Sequence, residues 1–317
     1  MNSECFRWTE SLRNHARRLG ASAVGITEAG PVADDTDLRL KQWLEAGMNA
    51  GMSYMANHSE LRHDPRRLLE GAQTIVAVTF NYYNPLPHPT GSDTMARFAR
   101  YALGDDYHDI VRARLEILAR WMRVTAGGET RVTVDTAPIH ERYWARKAGV
   151  GVIGRNTMLI VNGGGSYHFI GLILWTGAVP AELLDQPATG SCLGCGRCER
   201  ACPAGAITAM GVDARKCHSY LTVESRDERL PDGTRLPDGR LYGCDICQEV
   251  CPHNSDARPT EISGFKPRGF FKNLTLTDVA EMDQPTFSAL FRRSAVKRAK
   301  LAGLRRNASH ILNQKKK

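Results

Sequence analysis

The chain has 317 residues, a length that allows one or two domains with a sizeable hydrophobic core. Hydrophobic residues make up 42% and charged residues 24%, near the averages of soluble domains, which excludes a largely disordered chain. No apolar run reaches the roughly 18 residues of a membrane helix, and the N-terminus lacks the apolar stretch of a secretory signal, so a cytoplasmic protein without a membrane segment is expected.

The positive charge is concentrated near the C-terminus. The formal net charge of the whole chain is +8, yet residues 284–317 hold ten Lys or Arg and no Asp or Glu. The remaining 283 residues therefore carry a net charge of −2. Local basic clusters bind phosphate backbones, so this tail is expected to contact a nucleic acid, with a solvated basic helix as the alternative. Its basic residues are Arg292, Arg293, Lys297, Arg298, Lys300, Arg305, Arg306, Lys315, Lys316 and Lys317.

Helical and extended patterns alternate along the first half of the chain. Residues 74–82 form a β-branched and aromatic run that predicts a buried strand. Asp105 and Asp106 are expected to open a helix, residues 131–135 predict another strand, and residues 138–149 predict a second helix that runs from a proline to a glycine. The first of these helices has apolar residues on one face at helical spacing, namely Val111, Leu115, Leu118 and Met122.

Two more strands are predicted at residues 157–161 and 168–175. Between them lie Asn162 and three glycines, which predict a hairpin turn joining the two strands. The mixture of elements indicates an α/β or α+β domain. Residues 180–190 are polar and rich in turn formers, as expected of a linker, so we predict three units: residues 1–183, a cysteine-rich module at 184–262 and a basic helical segment at 263–317.

Eight of the nine cysteines fall between Cys192 and Cys251, a crowding that favours metal ligation over disulfides. Cys5 stands apart and is interpreted as an ordinary thiol. The run CLGCGRCERACP has the pattern C-x2-C-x2-C-x3-C-P, which is typical of bacterial ferredoxins with two [4Fe-4S] clusters. In that pattern three thiolates bind one cluster and the fourth binds the other. The cysteines of this run are Cys192, Cys195, Cys198 and Cys202.

A second run, CDICQEVCP, has the same ending but lacks one ligand, and Cys217 supplies the missing thiol. By the crossing rule, the first cluster is expected to take Cys192, Cys195, Cys198 and Cys251. The second cluster is then expected to take Cys217, Cys244, Cys247 and Cys202. The alternative is a pair of four-cysteine zinc sites, which do not ordinarily need the x3-C-P ending found in both runs. These motifs predict an electron-transferring protein and favour an oxidoreductase.

Two clusters conduct single electrons but do not reshape carbon, so the first 180 residues are expected to hold a cofactor or a docking surface. The chain contains neither a G-x-G-x-x-G turn between a strand and a helix nor a P-loop lysine motif, which disfavours nucleotide cofactors. The start of a D-x-H-x-x-G cobalamin motif occurs at Asp106 and His108, but the motif is incomplete. His108 is therefore interpreted as a structural histidine at a helix start.

Several separate stretches together resemble the epoxyqueuosine reductase family. They are HDPRRLLEGAQTIVAV, ARYALGDDYHD, VDTAPIHER, KAGVGVIGRNTMLI, GSYHFIG, KCHSYLT, RLYGCDICQEVCPHN and KLAGLRRNA. The resemblance implies an α+β chain with a flavin-reductase-like α/β cobalamin-binding domain, a two-cluster ferredoxin-like module and a short basic helical tail. Longer members continue into a helical-repeat region that helps to hold tRNA, so the resemblance is to a short form that lacks most of it.

The activity implied by the resemblance is the reduction of epoxyqueuosine to queuosine at the wobble position of tRNA, the last step of queuosine biosynthesis. It would use cobalamin recharged through the two [4Fe-4S] clusters, with an external low-potential electron donor. We expect a monomer whose partner is tRNA carrying epoxyqueuosine in the anticodon. The rival hypotheses are a cobalamin-dependent reductive dehalogenase and a non-catalytic iron-sulfur electron carrier.

The resemblance also implies the site residues. The family's proton donor corresponds to Asp135, and Arg142 on the next helix is expected to face the same pocket. Expelling an epoxide oxygen needs a proton, which a carboxylic acid kept protonated by an apolar site can supply. The alternative for Asp135 is a helix N-cap. Some members carry Cys where Ala99 stands, and the implied corrin contacts are Arg62, Ala99, Leu159, Ile170 and Ser219.

Overall fold

Apolar runs of the first 183 residues form a four-stranded antiparallel sheet, whose strands lie side by side in the order 23–28, 74–81, 168–175 and 130–133. The computed structural model describes residues 3–87, 94–190 and 192–314. In chain order the strands are β1 Ala23–Glu28, β2 Thr74–Asn81, β3 Arg97–Phe98, β4 Thr130–Thr133, β5 Gly151–Ile153, β6 Leu159–Val161, β7 His168–Trp175, β8 Ile207–Thr208, β9 Gly211–Val212 and β10 Arg240–Tyr242.

Helices cover both faces of this sheet and form most of the C-terminal part. They are α1 Ser3–Arg18, α2 Asp34–Glu45, α3 Ser59–His63, α4 Tyr107–Ala126, α5 Glu141–Lys147, α6 Arg197–Ala201, α7 His218–Val223, α8 Ile246–Glu249, α9 Leu276–Glu281, α10 Gln284–Leu290 and α11 Lys300–Gln314. None of the described helices is both long enough and apolar enough to cross a membrane. The mixed α+β architecture agrees with the prediction.

Helix α4 begins and ends where its sequence predicts. The side chain of Asp106 caps it by accepting a hydrogen bond from the backbone N–H of His108 at 3.1 Å, and Gly127 ends it with a φ of 72°. The predicted apolar face is buried against the sheet. Gly171 in β7 permits this close packing, because a Cβ there would lie 2.3 Å from Cδ1 of Leu115.

The predicted hairpin between residues 157–161 and 168–175 is wrong. The glycine-rich turn is present, with the N–H of Val161 bonded to the carbonyl of Gly165. However, β6 pairs with β5 in a separate two-stranded sheet, whereas β7 pairs with β2 and β4. Strand β7 is almost entirely buried, so its backbone N–H and C=O groups need hydrogen-bond partners along both edges, which a single hairpin neighbour does not provide.

The cysteine-rich module is joined to the first domain by a short parallel pairing. Strand β10 pairs with β3, and the backbone N–H of Ala99 bonds to the carbonyl of Tyr242 at 2.8 Å. Buried ion pairs lie beside this junction. Arg100 reaches Glu249 at 2.7 Å and Asp245 at 3.2 Å, so residues of the first domain bind directly to the segment that carries the second cysteine run.

The C-terminal segment packs into the same hydrophobic cluster as the cysteine-rich module. That cluster draws on residues 96–103, 221–242 and 271–311. Asn307 on α11 is fully buried and donates hydrogen bonds to the carbonyls of Thr222 and Leu241 at 2.9 Å each. The predicted division into three units stays a prediction, but the last segment contributes to the core.

The expectation of a free basic tail needs correction, because several of its cations bind other parts of the chain. Arg306 is partly buried, and its guanidinium donates hydrogen bonds to the carbonyls of Leu221 at 2.6 Å and Asp227 at 2.8 Å. It therefore anchors α11 to the cysteine-rich module instead of facing solvent. Arg298 forms an ion pair with Glu224 at 2.6 Å. Residues 315–317, which hold three of the ten basic residues, lie outside the described ranges.

Replacing Arg306 by Ala should destabilise the protein, because several partly buried carbonyls lose their donor. We expect a loss of about 2–3 kcal/mol, seen as a thermal unfolding midpoint several degrees lower. Arg305→Ala is the matched control, since Arg305 is exposed and makes one described hydrogen bond, to the carbonyl of Ala280. Equal unfolding midpoints for the two variants would contradict this account of Arg306.

Candidate functional site

Four cysteines from the two runs line one cavity. They are Cys192, Cys195, Cys198 and Cys251, and Asn156 and Ile160 of the first domain complete part of the wall. The thiol of Cys251 is close enough to Cys192 and Cys195 for their charges to raise its pKa, after the larger effect of burial. This outer cysteine group is the set that the crossing rule assigns to the first cluster.

The other four cysteines form a second, inner group. Burial raises the pKa of Cys244 to about 11, and the thiol of Cys217 adds to the effect. Cys217 itself lies within electrostatic reach of Cys202, whose sulfur accepts a hydrogen bond from the N–H of Ala206 at 3.3 Å. The fourth member, Cys247, is close to both Cys217 and Cys244. This set matches the crossing expectation for the second cluster.

Asn156 lies between the two groups. It lines the cavity of the outer group, and its side-chain amide donates a hydrogen bond to the carbonyl of Cys247 at 3.4 Å. Within the described residues, no three His, Cys, Asp or Glu side chains converge as they would around a single metal ion. A four-iron cluster needs a wider arrangement of thiols, and each group offers four of them.

Asp135 lies just beyond the end of β4 in a left-handed backbone conformation, with a φ of 58°. Its side chain is 58% exposed, and its Oδ2 accepts a hydrogen bond from the hydroxyl of Tyr107 at 2.6 Å. Its backbone N–H donates to Oε1 of Glu141 at 2.6 Å. The N-cap alternative is therefore excluded, because α5 begins at Glu141 and its N-cap residue is His140.

His108 bridges two carboxylates. Its Nε2 lies 3.2 Å from Oδ2 of Asp135, and its Nδ1 lies 2.7 Å from Oδ1 of Asp106. Burial alone would lower the pKa of His108, but the hydrogen bonds to Asp106 and Asp135 raise it to about 9. The imidazole is therefore protonated at neutral pH. The interpretation of His108 as a purely structural histidine missed this contact with Asp135.

At neutral pH, neighbours of Asp135 carry protons, whereas Asp135 itself does not. Although the side chain is more than half exposed, the surrounding protein partly desolvates the carboxylate, which would raise the pKa of Asp135; hydrogen bonds from His108 and Tyr107 outweigh this effect and hold the pKa below its ordinary value. The expectation of an aspartic acid kept protonated by apolar surroundings is therefore wrong for this structure. Burial, followed by the charge of Asp135, raises the pKa of Glu141 to about 8, so Glu141 also carries a proton at neutral pH.

Polar groups from three other segments approach Asp135. Arg142 is near enough to stabilise its charge, and the guanidinium of Arg142 donates to the carbonyl of Thr157 at 2.5 Å. Tyr54 is close enough to Asp135 for that carboxylate to contribute to raising its pKa, after burial and the charge of Glu224. Arg62 donates to the carbonyl of Tyr54 at 3.3 Å. The structure thus brings Arg62 and Arg142 to the same side of the first domain as Asp135.

The remaining predicted contacts lie around the same region. Ala99 is buried against Gly243, where an added Cβ would come within 2.6 Å of the Ala99 Cβ, and Gly243 directly precedes Cys244. The N–H of Ser219 points at the thiol of Cys217. Both positions therefore adjoin the inner cysteine group. Leu159 and Ile170 belong to the apolar cluster under α5, where Leu159 is buried and Ile170 is partly exposed.

Comparisons with known proteins agree with this arrangement. Residues 62–136 match the family model described as epoxyqueuosine reductase QueG, DUF1730, and residues 191–254 match a 4Fe-4S double cluster binding domain. An epoxyqueuosine reductase of Leadbetterella byssophila is 37% identical over 305 residues, covering 96% of this chain and 98% of that protein. One of Synechocystis sp. is 38% identical over 92% of this chain and 98% of that protein.

The chain belongs to the epoxyqueuosine reductase family. Members of this family are oxidoreductases, and the resemblance predicted from the sequence is confirmed. A solved epoxyqueuosine reductase with an epoxyqueuosine-modified stem loop of tyrosine tRNA superimposes with a TM-score of 0.88 at 28% identity, covering 97% of this chain and 81% of that one. A Bacillus subtilis member with a catalytic aspartate loop swung out of its active site gives 0.87 at 27% identity, covering 97% and 82%.

Sequence reasoning missed four residues that contact or surround Asp135. Tyr107 and His108 belong to the stretch GDDYHD, which carries part of the family resemblance but completes no cofactor-binding motif. Glu141 follows His140 in the same motif as Arg142, and Tyr54 lies in a short turn at Ser53–Met55 that has no recognisable pattern. One sequence feature could have revealed these residues: titratable side chains are dense in GDDYHD and IHER, the stretches that precede and follow β4.

The raised pKa of His108 can be tested by titration. In protein labelled with 15N-histidine, the ring nitrogens of His108 should titrate near pH 9, so that the proton is retained at neutral pH and lost as the pH rises through about 9. Asp106→Asn removes one carboxylate and should move the pKa toward the ordinary value of about 6.5. His108→Gln assigns the signal, and titration near pH 6.5 in the parent would contradict the structure.

Proposed function

We propose that this protein reduces epoxyqueuosine to queuosine in tRNA, the last step of queuosine biosynthesis, with cobalamin and two [4Fe-4S] clusters as cofactors. The observation that carries the proposal is the set of proton-bearing side chains around Asp135, in a chain whose eight thiols gather in two groups of four. Membership of the epoxyqueuosine reductase family supports the substrate. The flavin-reductase-like character of the first domain belongs to the same proposal.

The cysteine groups suit two clusters by number and by chemistry. Each group presents four sulfur ligands, and each combines residues from more than one motif, as a crossed two-cluster ferredoxin requires. The inner group adjoins Ala99 and the Asp135 side of the first domain, whereas the outer group reaches the surface through Cys195, which is exposed. Electrons would therefore pass from the outer to the inner group.

The surroundings of Asp135 also suit a corrin. Nε2 of His140 is buried within electrostatic reach of Arg62 and Arg142, and it makes no hydrogen bond among the described residues although Oδ1 of Asp37 lies 3.6 Å away. Nδ1 of His218, beside Ser219, is also buried without a hydrogen bond among the described residues. The amide groups around a corrin can satisfy such atoms. We propose that Arg62, Ala99, Arg142, Leu159, Ile170 and Ser219 hold it, with Leu159 acting through its backbone because its side chain is buried.

The proton supply matches the stoichiometry of the reaction. Removing an epoxide oxygen as water consumes two electrons and two protons, and reduced cobalamin supplies the electron pair when bound. His108 and Glu141 each hold a proton at neutral pH. Oδ2 of Asp135 takes the proton from Nε2 of His108 and presents it to the departing oxygen, while the hydroxyl of Tyr107 keeps the carboxylate oriented.

Exposed basic residues near the site are suited to tRNA. Arg298 lies 5.8 Å from the ring centre of Tyr54, and Tyr54 in turn lies near Asp135. Part of the basic segment is therefore beside the Asp135 site. Arg292, Lys297 and Lys300 are exposed and form no ion pair within the described ranges, which leaves them available to phosphates. The tRNA-bound relative supports this partner. An external low-potential donor would deliver the electrons.

Replacing Asp135 by Asn tests the proposed proton transfer. Asn keeps the shape but cannot relay a proton, so single-turnover reduction of epoxyqueuosine-containing tRNA should slow by about 100-fold to 10,000-fold. Iron content and cobalamin binding should stay at parental levels. Asp109→Asn is the matched control, because Asp109 is an exposed acid on α4 with one long ion pair, to Arg293. A rate within about threefold of the parent would remove Asp135 from the mechanism.

The crossing of the cysteine runs can be tested with double variants. Cys251→Ser and Cys202→Ser should each leave about four of the eight irons after anaerobic reconstitution. Combining Cys202→Ser with Cys244→Ser should still leave about four, because both residues serve the inner group. Combining Cys202→Ser with Cys251→Ser should remove nearly all the iron. If Cys202→Ser combined with Cys198→Ser retained about four irons, the two runs would not be crossed.

A further inference from the structure

The outer cysteine group opens onto a surface that combines apolar and basic character. Cys195 is exposed, and the neighbouring Leu193 side chain is 63% exposed although it is apolar. Gly194 stands between them with a φ of 63°, and a Cβ there would meet no atom within 4 Å. A partner can therefore approach the Cys195 loop closely, without a side chain of Gly194 in between.

Arginines border this loop. Arg197 is exposed and forms no side-chain hydrogen bond or ion pair within the part of the chain that the structure describes. Arg200 is exposed and donates to the carbonyl of Cys195 at 2.8 Å. Arg155 reaches Glu199 at 2.6 Å and is close enough to the thiols of Cys192 and Cys198 to be affected by their charge. With three arginines and one glutamate, the border has a positive formal charge.

We propose that Leu193, Cys195, Arg155, Arg197 and Arg200 form the docking surface for an acidic one-electron carrier protein. This inference rests on the proposed function, because it assigns the site at which the external donor engages. Each encounter moves one electron: the carrier is oxidised by one electron, the outer cluster is reduced by one electron, and no bond is made or broken. Two encounters supply the two electrons of one turnover.

The composition of the surface fits a transient electron-transfer complex. Such complexes bury little area, below about 1,200 Å², and a single exposed leucine beside the thiols provides a small apolar contact. Charge complementarity then sets the rate of encounter and its dependence on salt. The unpaired Arg197 is suited to steering a carboxylate-rich partner, because its charge is not neutralised by a neighbour among the described residues.

Charge reversal at Arg197 tests the proposal. With the reconstituted protein and an oxidised flavodoxin as the acidic probe, Arg197→Glu should weaken binding by about fivefold to tenfold in low salt, and the difference should shrink as salt screens the charges. Leu193→Ala should weaken binding less and with little salt dependence. Arg120→Glu is the matched control, an exposed arginine on α4 that forms no ion pair among the described residues.

Reduction of the clusters separates this proposal from the proposed function. Bleaching of the visible absorption by reduced flavodoxin should slow in Arg197→Glu, whereas bleaching by dithionite and turnover with dithionite should match the parent. If Arg197→Glu bound flavodoxin as tightly as the parent does, the proposed docking surface would be wrong. Loss of tRNA affinity with unchanged flavodoxin affinity would instead make it an RNA-binding surface. Failure of turnover with dithionite in the parent would overturn the proposed function.

Discussion

The buried guanidinium of Arg100 is the interaction on which the rest of the site depends. It binds Asp245 and Glu249, and the carbonyl of Asn84 accepts a further hydrogen bond from its Nε at 3.1 Å. Asp245 directly follows Cys244, and Glu249 lies between the last two cysteines of the second run. The ion pairs therefore set the position of the inner thiols relative to the first domain. Removing one partner of such a buried pair leaves an uncompensated charge and costs about 3–5 kcal/mol, so the module is held in one arrangement.

A second constraint fixes the carboxylate of Asp135. A left-handed backbone is unfavourable for a residue other than glycine, and here hydrogen bonds at both ends hold it: Glu141 accepts from its N–H, and Tyr107 donates to its side chain. The left-handed turn points the side chain away from β4 and toward α4. His108 can then reach Asp135 and Asp106 with its two ring nitrogens. The same geometry that strains the backbone thus places a proton donor 3.2 Å from the carboxylate.

The sequence predicted the elements that depend on local pattern. The apolar period of α4, its cap at Asp106 and the strand at residues 74–82 all reflect contacts within one element and its immediate neighbours. The sequence did not predict the pairing of β6 with β5, because a glycine-rich turn shows where the chain reverses but does not specify which strand pairs with which. The contact between His108 and Asp135 joins residues 27 positions apart through the packing of α4 beside β4. No pattern in the sequence encodes that packing, so the protonation of Asp135 was also predicted wrongly. The motif spacing assigns the cysteines to the same two sets that lie together in the structure, and their roles as cluster ligands stay a prediction.

The C-terminal segment packs against both the inner cysteine group and the surroundings of Asp135. Asn307 and Arg306 on α11 bind the carbonyls at the end of α7, the helix whose N-cap residue is Cys217. The same segment carries Arg298, which lies over Tyr54 beside Asp135. One segment therefore contacts both the helix that follows Cys217 and the aromatic ring beside Asp135. Arg306 and Asn307 are used for packing, whereas Arg292, Lys297 and Lys300 are exposed. The basic residues of this segment thus divide into a structural part and an exposed part.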